Sequence, residues 1–265
     1  MSWKDRWGRI DRLGDPARFV RDLDLAHAGR EGAPAASPFF GFLDAREGNR
    51  VLDLGCGLGG AVRALAPRVG SAGRVVGVDN SLTVISEARR RTVESGLPVD
   101  LLVGDGRQLP FPDDSFDACF SAATFTLIAD PCQVLAEMVR VARPGGRVLV
   151  SAADFGSWVF DAADQELTRR IMAFACDHET NGTIARQLRR LFVENDLADV
   201  RMTLRASAFT DYRYIRDLWL GAWLAGARSA GIVTADEATR WLADLEERDA
   251  RGLFLLAGIE LTTFA

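Results

Sequence analysis

Histidine and cysteine are scarce in this 265-residue chain, with two of the former and four of the latter. Cys56, Cys119, Cys132 and Cys176 show no CxxC spacing, which argues against a zinc site or a disulfide framework and for a reducing compartment. A basic excess is also missing. Lys and Arg number 32 against 37 Asp and Glu, a formal charge of -5, so there is no electrostatic footprint for nucleic acid. Arg89-Arg90-Arg91, Arg169-Arg170 and Arg189-Arg190 fall in helical stretches and read as solvated faces. No apolar run approaches the ~20 residues that span a bilayer, and Met1 to Trp7 lacks the apolar region of a signal peptide. The expectation is a cytoplasmic protein with no metal, membrane or nucleic-acid partner.

Apolar residues make up 48% of the chain, enough for a sizeable core, and a single domain over 1–265 is expected. Residues 1–46 read as a helical lid, with Trp3, Trp7, Ile10, Leu13, Phe19, Val20 and Leu23 forming an irregular apolar face. Over 47–152, strands are expected at 50–54, 74–78, 100–104, 116–121 and 147–152, with helices at 59–68, 81–95 and 131–142. The turn Arg143-Pro144-Gly145-Gly146-Arg147 precedes the fifth strand. Over 153–265, helices at 161–176, 182–195, 211–228 and 234–249 accompany strands at 199–208 and 253–263. Such alternation predicts a doubly wound, mostly parallel seven-stranded α/β sheet, with helical insertions capping the strand ends where open sheets bind ligands.

The densest signal is Arg50-Val51-Leu52-Asp53-Leu54-Gly55-Cys56-Gly57-Leu58-Gly59-Gly60, followed by Val75-Val76-Gly77-Val78-Asp79. An apolar strand enters a glycine turn and, after a helix, a second strand ends on an acid, a βαβ unit suited to a nucleoside. Asp79 can accept two ribose hydroxyl protons. Gly55, Gly57 and Gly60 also satisfy G-x-G-x-x-G, so an NAD-binding oxidoreductase is one reading. Asp53 argues against it, because an acid there would face a pyrophosphate and better suits an ammonium or a sulfonium. Asp105 can accept the exocyclic amine of adenine, and Gly106 admits the ring against the chain.

Together, Val51 to Gly57, Asp79, Gly104-Asp105, Leu109-Pro110-Phe111-Pro112-Asp113-Asp114-Ser115-Phe116-Asp117 and Arg143-Pro144-Gly145-Gly146 resemble the ordered motifs of class I S-adenosylmethionine-dependent methyltransferases. Within that class the chain is similar to the small-molecule branch that includes the ubiquinone and menaquinone C-methyltransferases and specialised-metabolite enzymes. Asn181-Gly182, Arg186-Gln187-Leu188 and Leu191-Phe192 also resemble members of this branch. The resemblance implies a Rossmann-like methyltransferase fold that binds S-adenosyl-L-methionine. The Gly55 to Gly59 loop, including Cys56 and Gly57, would lie along its methionine portion, with Asp53 at the mouth of the turn. Asp79 with Asn80 would hold the ribose, Asp105 with Gly106 the adenine, and Ser121 would bring its backbone near the methionine group.

The expected reaction is methyl transfer to O, N or C of a hydrophobic small molecule, in specialised-metabolite biosynthesis. The alternative is a protein of this fold that binds the cofactor but catalyses cyclisation, or only binds. Relatives carry a His in a pattern like H-x-x-D-P after the fourth strand, where this chain has Leu127 or Ile128 before Asp130-Pro131. His178 is therefore the candidate general base, at a helix C-terminus where the macrodipole and two neighbouring acids favour its protonated form. His27, in the lid, is the second histidine. Trp158, Phe160, Phe174, Phe209, Tyr212, Tyr214, Trp219 and Trp223 gather in the cap, where rings pack a core or shield an apolar acceptor from water. Oligomeric state stays open, a homodimer being one option.

Overall fold

The computed structural model describes residues 10–11, 20–21, 23–24, 38–93 and 97–265. Most of the expected lid, His27 included, lies outside the described residues, as does the end of the helix expected to reach residue 95.

After a short helix α1 (Pro38–Leu43), strands β1 (Arg50–Leu54), β2 (Arg74–Asp79) and β3 (Val99–Val103) alternate with helices α2 (Gly60–Val69) and α3 (Leu82–Val93). Next come β4 (Phe116–Ala122), α4 (Pro131–Val141) and β5 (Ala142–Phe160). The remainder runs α5 (Gln165–His178), α6 (Ile184–Glu194), β6 (Arg201–Phe209), α7 (Tyr212–Ile215), α8 (Gly221–Ser229), α9 (Ala235–Ala250) and β7 (Leu256–Phe264). All seven strands join one sheet in the order β3-β2-β1-β4-β5-β7-β6. β7 is antiparallel to both β5 and β6, and the other pairings are parallel. This is the doubly wound sheet that the alternation of elements predicts.

Period-two alternation along β1 sorts the core. Val51 packs with Val62, Leu65, Phe120 and Leu149 on one face, whereas Leu52 and Leu54 pack with Leu135, Ile184 and Phe192 on the other. A third cluster fills the cap, where Phe160, Ile171, Trp223 and Trp241 are buried.

Two expectations change. β5 spans 142–160 rather than 147–152, and the Pro-Gly-Gly turn is a bulge within it: Phe116 pairs with Ala142, but Ala118 pairs with Arg147. Gly145 takes φ 74°, and a Cβ on Gly146 would stand 2.8 Å from the Arg143 carbonyl oxygen. A second break, between Asp154 and Val159, is bridged by Ser157, whose hydroxyl donates to the Asp154 carbonyl (2.7 Å) and accepts from the Ile259 N–H (3.0 Å). The helix expected over 211–228 is interrupted by one π turn, Arg216–Leu220, a feature frequent at functional sites.

Candidate functional site: a glycine cradle beside a ring-lined cavity

The glycine loop leaves β1 and closes against β2. Gly55 and Cys56 donate their N–H groups to the Val78 carbonyl at 2.7 and 3.1 Å. Asp79 completes the closure by accepting from Gly57 N–H and Ser81 N–H, both at 3.1 Å. Gly57 adopts φ 52°, and a Cβ there would meet nothing within 4 Å, so the loop presents its backbone to open space.

The carboxyl of Asp53, buried in β1, has no hydrogen bond or ion pair among the described residues. Burial, and then repulsion from Asp79, raises its carboxyl well above the ordinary range. Asp79 is raised as well, chiefly by burial, against the lowering effect of its backbone donors. Burial beside these acids lifts the Cys56 thiol, so Cys56 contributes backbone and bulk rather than a thiolate. The pair of acids and the inward backbone form a cradle short of positive charge.

Asp105 follows β3 on the exposed rim, paired with Arg107 at 2.6 Å, which lowers its carboxyl. Gly106 sits where a Cβ would press on Leu54 at 3.2 Å. Asn80 is exposed beside Asp79, and Ser121, wholly buried, donates its hydroxyl to the Leu54 carbonyl at 2.9 Å. The expected cofactor residues therefore gather at the carboxyl ends of β1 to β4. Ile10 and Asp11 reach the same rim. Asp11 accepts from Leu82 N–H (2.7 Å), Thr83 N–H (3.0 Å) and the Ser81 hydroxyl (2.8 Å), capping α3, and Ile10 packs on Leu58 and Val84.

Beyond the cradle lies a cavity of about 320 Å³, at the lower end of the range for small-molecule sites. Its rings are Phe155, Trp158, Phe209, Tyr214 and Trp219, so half of the aromatic set singled out from sequence faces the cavity. Phe160, Tyr212 and Trp223 pack the core instead. Trp158 fits only because Gly258 opposes it, where a Cβ would stand 2.2 Å from the indole Cδ1. Ala123, Thr126 and Leu127 form the wall nearest the cradle, and Thr124 between them lies where a Cβ on Gly55 would be, 2.2 Å from its Oγ1.

His178 is not brought to this cavity. It is exposed at the end of α5, stacked 3.7 Å from the Phe174 ring, with Nδ1 3.0 Å from the Phe174 carbonyl oxygen. Its neighbour Glu179 lines the cavity instead, because the helical spacing from Ile171 and Ala175 continues the buried face of α5 to it. Glu179 is 4% exposed and accepts from the Trp223 indole N–H at 2.9 Å. Asn181 is structural: its N–H donates to the Thr126 carbonyl (3.0 Å) and its amide to Ile128, pinning the cavity wall. Gly182 is needed because a Cβ would stand 2.1 Å from the Cys176 carbonyl oxygen.

No group of three or more His, Cys, Asp or Glu side chains suited to a metal occurs among the described residues. None of their helices is long and apolar enough to cross a membrane.

Residues 52–150 match the model of a methyltransferase domain. Over 207 residues, 77% of this chain and 59% of the other, the chain is 39% identical to an uncharacterized 37.1 kDa protein in transposon TN4556 of Streptomyces fradiae. Over 108 residues, 40% of this chain and 46% of the other, it is 43% identical to a 2-phytyl-1,4-naphtoquinone methyltransferase of Synechococcus elongatus. It thus spans about half the length of these curated relatives. Among solved structures, YcgJ from Bacillus subtilis shares the fold with a TM-score of 0.59 at 19% identity, over 87% of this chain and 96% of that one.

Proposed function

We propose, for a chain that belongs to the class I S-adenosylmethionine-dependent methyltransferases, that it transfers a methyl group to O, N or C of a hydrophobic small molecule held in the ring-lined cavity. The observation that carries this reading is the contact between cradle and cavity. A short wall, Ala123 to Leu127, borders the acceptor space, and its Thr124 packs on the glycine loop.

The residues present fit the cofactor. Asp53 is a buried acid without a cation among the described residues, and the Gly57 backbone faces open space, as a cationic nucleoside lying along the loop requires. In this reading Asp79, with Asn80 beside it, takes the ribose hydroxyls, and Asp105 and Gly106 take the adenine. Gly55, Cys56 and Gly57 line the methionine portion with backbone, Asp53 offsets its positive charge, and Ser121 holds the end of β4 against Leu54. When bound, the cofactor supplies a methyl carbon already activated on a sulfonium.

What remains for the protein is alignment and exclusion of water, and proximity alone can contribute ~7–11 kcal/mol. The rings exclude water from the acceptor, and the pinned wall sets its distance from the loop. Specialised-metabolite biosynthesis is the role that this apolar, small-molecule cavity supports. The test is incubation of the protein with methyl-labelled S-adenosylmethionine and a panel of apolar metabolites. Label in an acceptor supports the reading. Cofactor binding with no transfer, and with rearrangement of an acceptor's skeleton, would favour cyclisation instead.

A further inference from the structure

Polar side chains from three neighbouring strands meet at the acceptor cavity. Ser151 pairs with Thr262 and Ala153 with Glu260 across β5 and β7, and Arg205 pairs with Glu260 across β7 and β6, so strand alternation turns Ser151, Thr262, Glu260 and Arg205 to one face. Glu260 and Arg205 line the cavity, and Ser151 and Thr262 are buried. The Thr262 hydroxyl donates to the Ser151 hydroxyl at 3.0 Å, and Ser151 donates in turn to Glu260 Oε1. One oxygen of the carboxylate is thereby fixed. The other, Oε2, stands 3.8 Å from Arg205 Nη2, too far for a hydrogen bond, and accepts none from the described residues. The same serine ties this carboxylate to the wall beside the glycine loop. Its carbonyl accepts from Ala123 N–H at 2.8 Å, and Ala123, which borders the cavity, holds φ 60°, a left-handed conformation uncommon for a residue with a Cβ. A carboxylate oxygen only accepts, and with a guanidinium already nearby it calls for a neutral donor, a hydroxyl, on a flat body that suits the rings of Phe155, Trp158 and Trp219.

We propose that the acceptor is a phenol, its ring among these side chains and its hydroxyl donating to Glu260 Oε2, with Glu260 taking the proton as the methyl passes to oxygen. This rests on the methyltransferase reading above. The O–H bond breaks toward Glu260, and the pair left on oxygen forms the O–C bond to the sulfonium methyl while the C–S pair returns to sulfur. The products are a neutral aryl methyl ether and a neutral thioether. Glu260 then gives its proton to solvent beside Arg205, which is 47% exposed.

The test follows label from methyl-labelled S-adenosylmethionine into 4-ethylphenol and into 2-phenylethylamine, using the full chain between about pH 7 and pH 9. Label is expected in the phenol as its methyl ether and not in the amine. Glu260→Gln keeps an oxygen for the Ser151 hydroxyl but cannot take the proton; transfer near pH 7 should fall at least about 100-fold, with S-adenosylhomocysteine affinity within about twofold. The residual rate of that variant should climb about tenfold per pH unit toward the phenol's own pKa of about 10, because a phenolate formed in water needs no base. Ser151→Ala, which releases Oε1, should slow transfer about three- to tenfold, and it decides the matter if Glu260→Gln loses the cofactor product's affinity through misfolding. Label in the amine alone or in neither probe, a Glu260→Gln loss that does not lessen as pH rises, or transfer unchanged in either variant overturns the assignment alone. Failure of the unmodified protein to bind S-adenosylhomocysteine would overturn the functional reading and this assignment with it.

Discussion

Asp79 accepts the Gly57 N–H at 3.1 Å, so the acid that ends β2 holds the loop that begins after β1. One side chain both shapes the cradle and presents a carboxyl to it. Asp79→Asn removes the charge and, because both carboxylate oxygens accept backbone N–H groups, also sets an amide NH2 against one of those two donors. Affinity for S-adenosylhomocysteine should fall about 10- to 100-fold, the loss expected for hydrogen bonds to a charged acceptor, as read by calorimetry.

Asp53 gives a prediction of opposite sign for stability and binding. Its folded-state carboxyl is raised by burial and by Asp79, so the folded chain holds that proton more tightly than the unfolded chain does. Below the unfolded pKa of about 3.8 both states are protonated and the acid costs nothing. As pH rises from there toward the raised folded value, the folded state loses stability relative to the unfolded one. Asp53→Asn should therefore raise the melting temperature of the ligand-free protein near pH 7 by about 2–4 °C for each kcal/mol recovered, with the gain vanishing toward pH 4. S-adenosylmethionine affinity should fall in the same variant.

Gly258 tests the acceptor side separately. A Cβ there would collide with Trp158, whose ring is already 4.8 Å from Phe155 and 4.9 Å from Trp219. Gly258→Ala should push the indole into the cavity, cost about 1–3 kcal/mol of stability by denaturant unfolding, and sharply reduce acceptor turnover. S-adenosylhomocysteine affinity should be unchanged, because the cradle lies on the other side of Thr124.

Asp11 tests the N-terminal contact. Its carboxyl receives two backbone N–H groups at the start of α3, so Asp11→Ala should cost about 0.5–2 kcal/mol, measured as a lowered denaturant midpoint with an unchanged slope.

The cradle was legible because its constraints are local. A glycine with φ 52° and an acid at a strand end leave their mark on a few consecutive residues. The cavity was not, because its walls come from β5, β6, β7, the π turn and the loop after β4, brought together only by the sheet order. Phe155 was missed because Gly156 and Ser157 disguise the continuation of β5 through a bulge. His178 offers the better chemistry for a base, but the helical spacing from the buried Ile171 and Ala175 brings Glu179, not His178, to the inward face. The Pro-Gly-Gly segment reads as a turn in isolation, and only its register against β4 makes it a bulge.

The central claim is that the cradle binds a sulfonium nucleoside, and calorimetric titration with S-adenosylhomocysteine and NADH tests it most directly. The account predicts one S-adenosylhomocysteine per chain, bound in preference to NADH and weakened by Asp79→Asn. Preferential binding of NADH, or S-adenosylhomocysteine binding that is indifferent to Asp79→Asn, would contradict it.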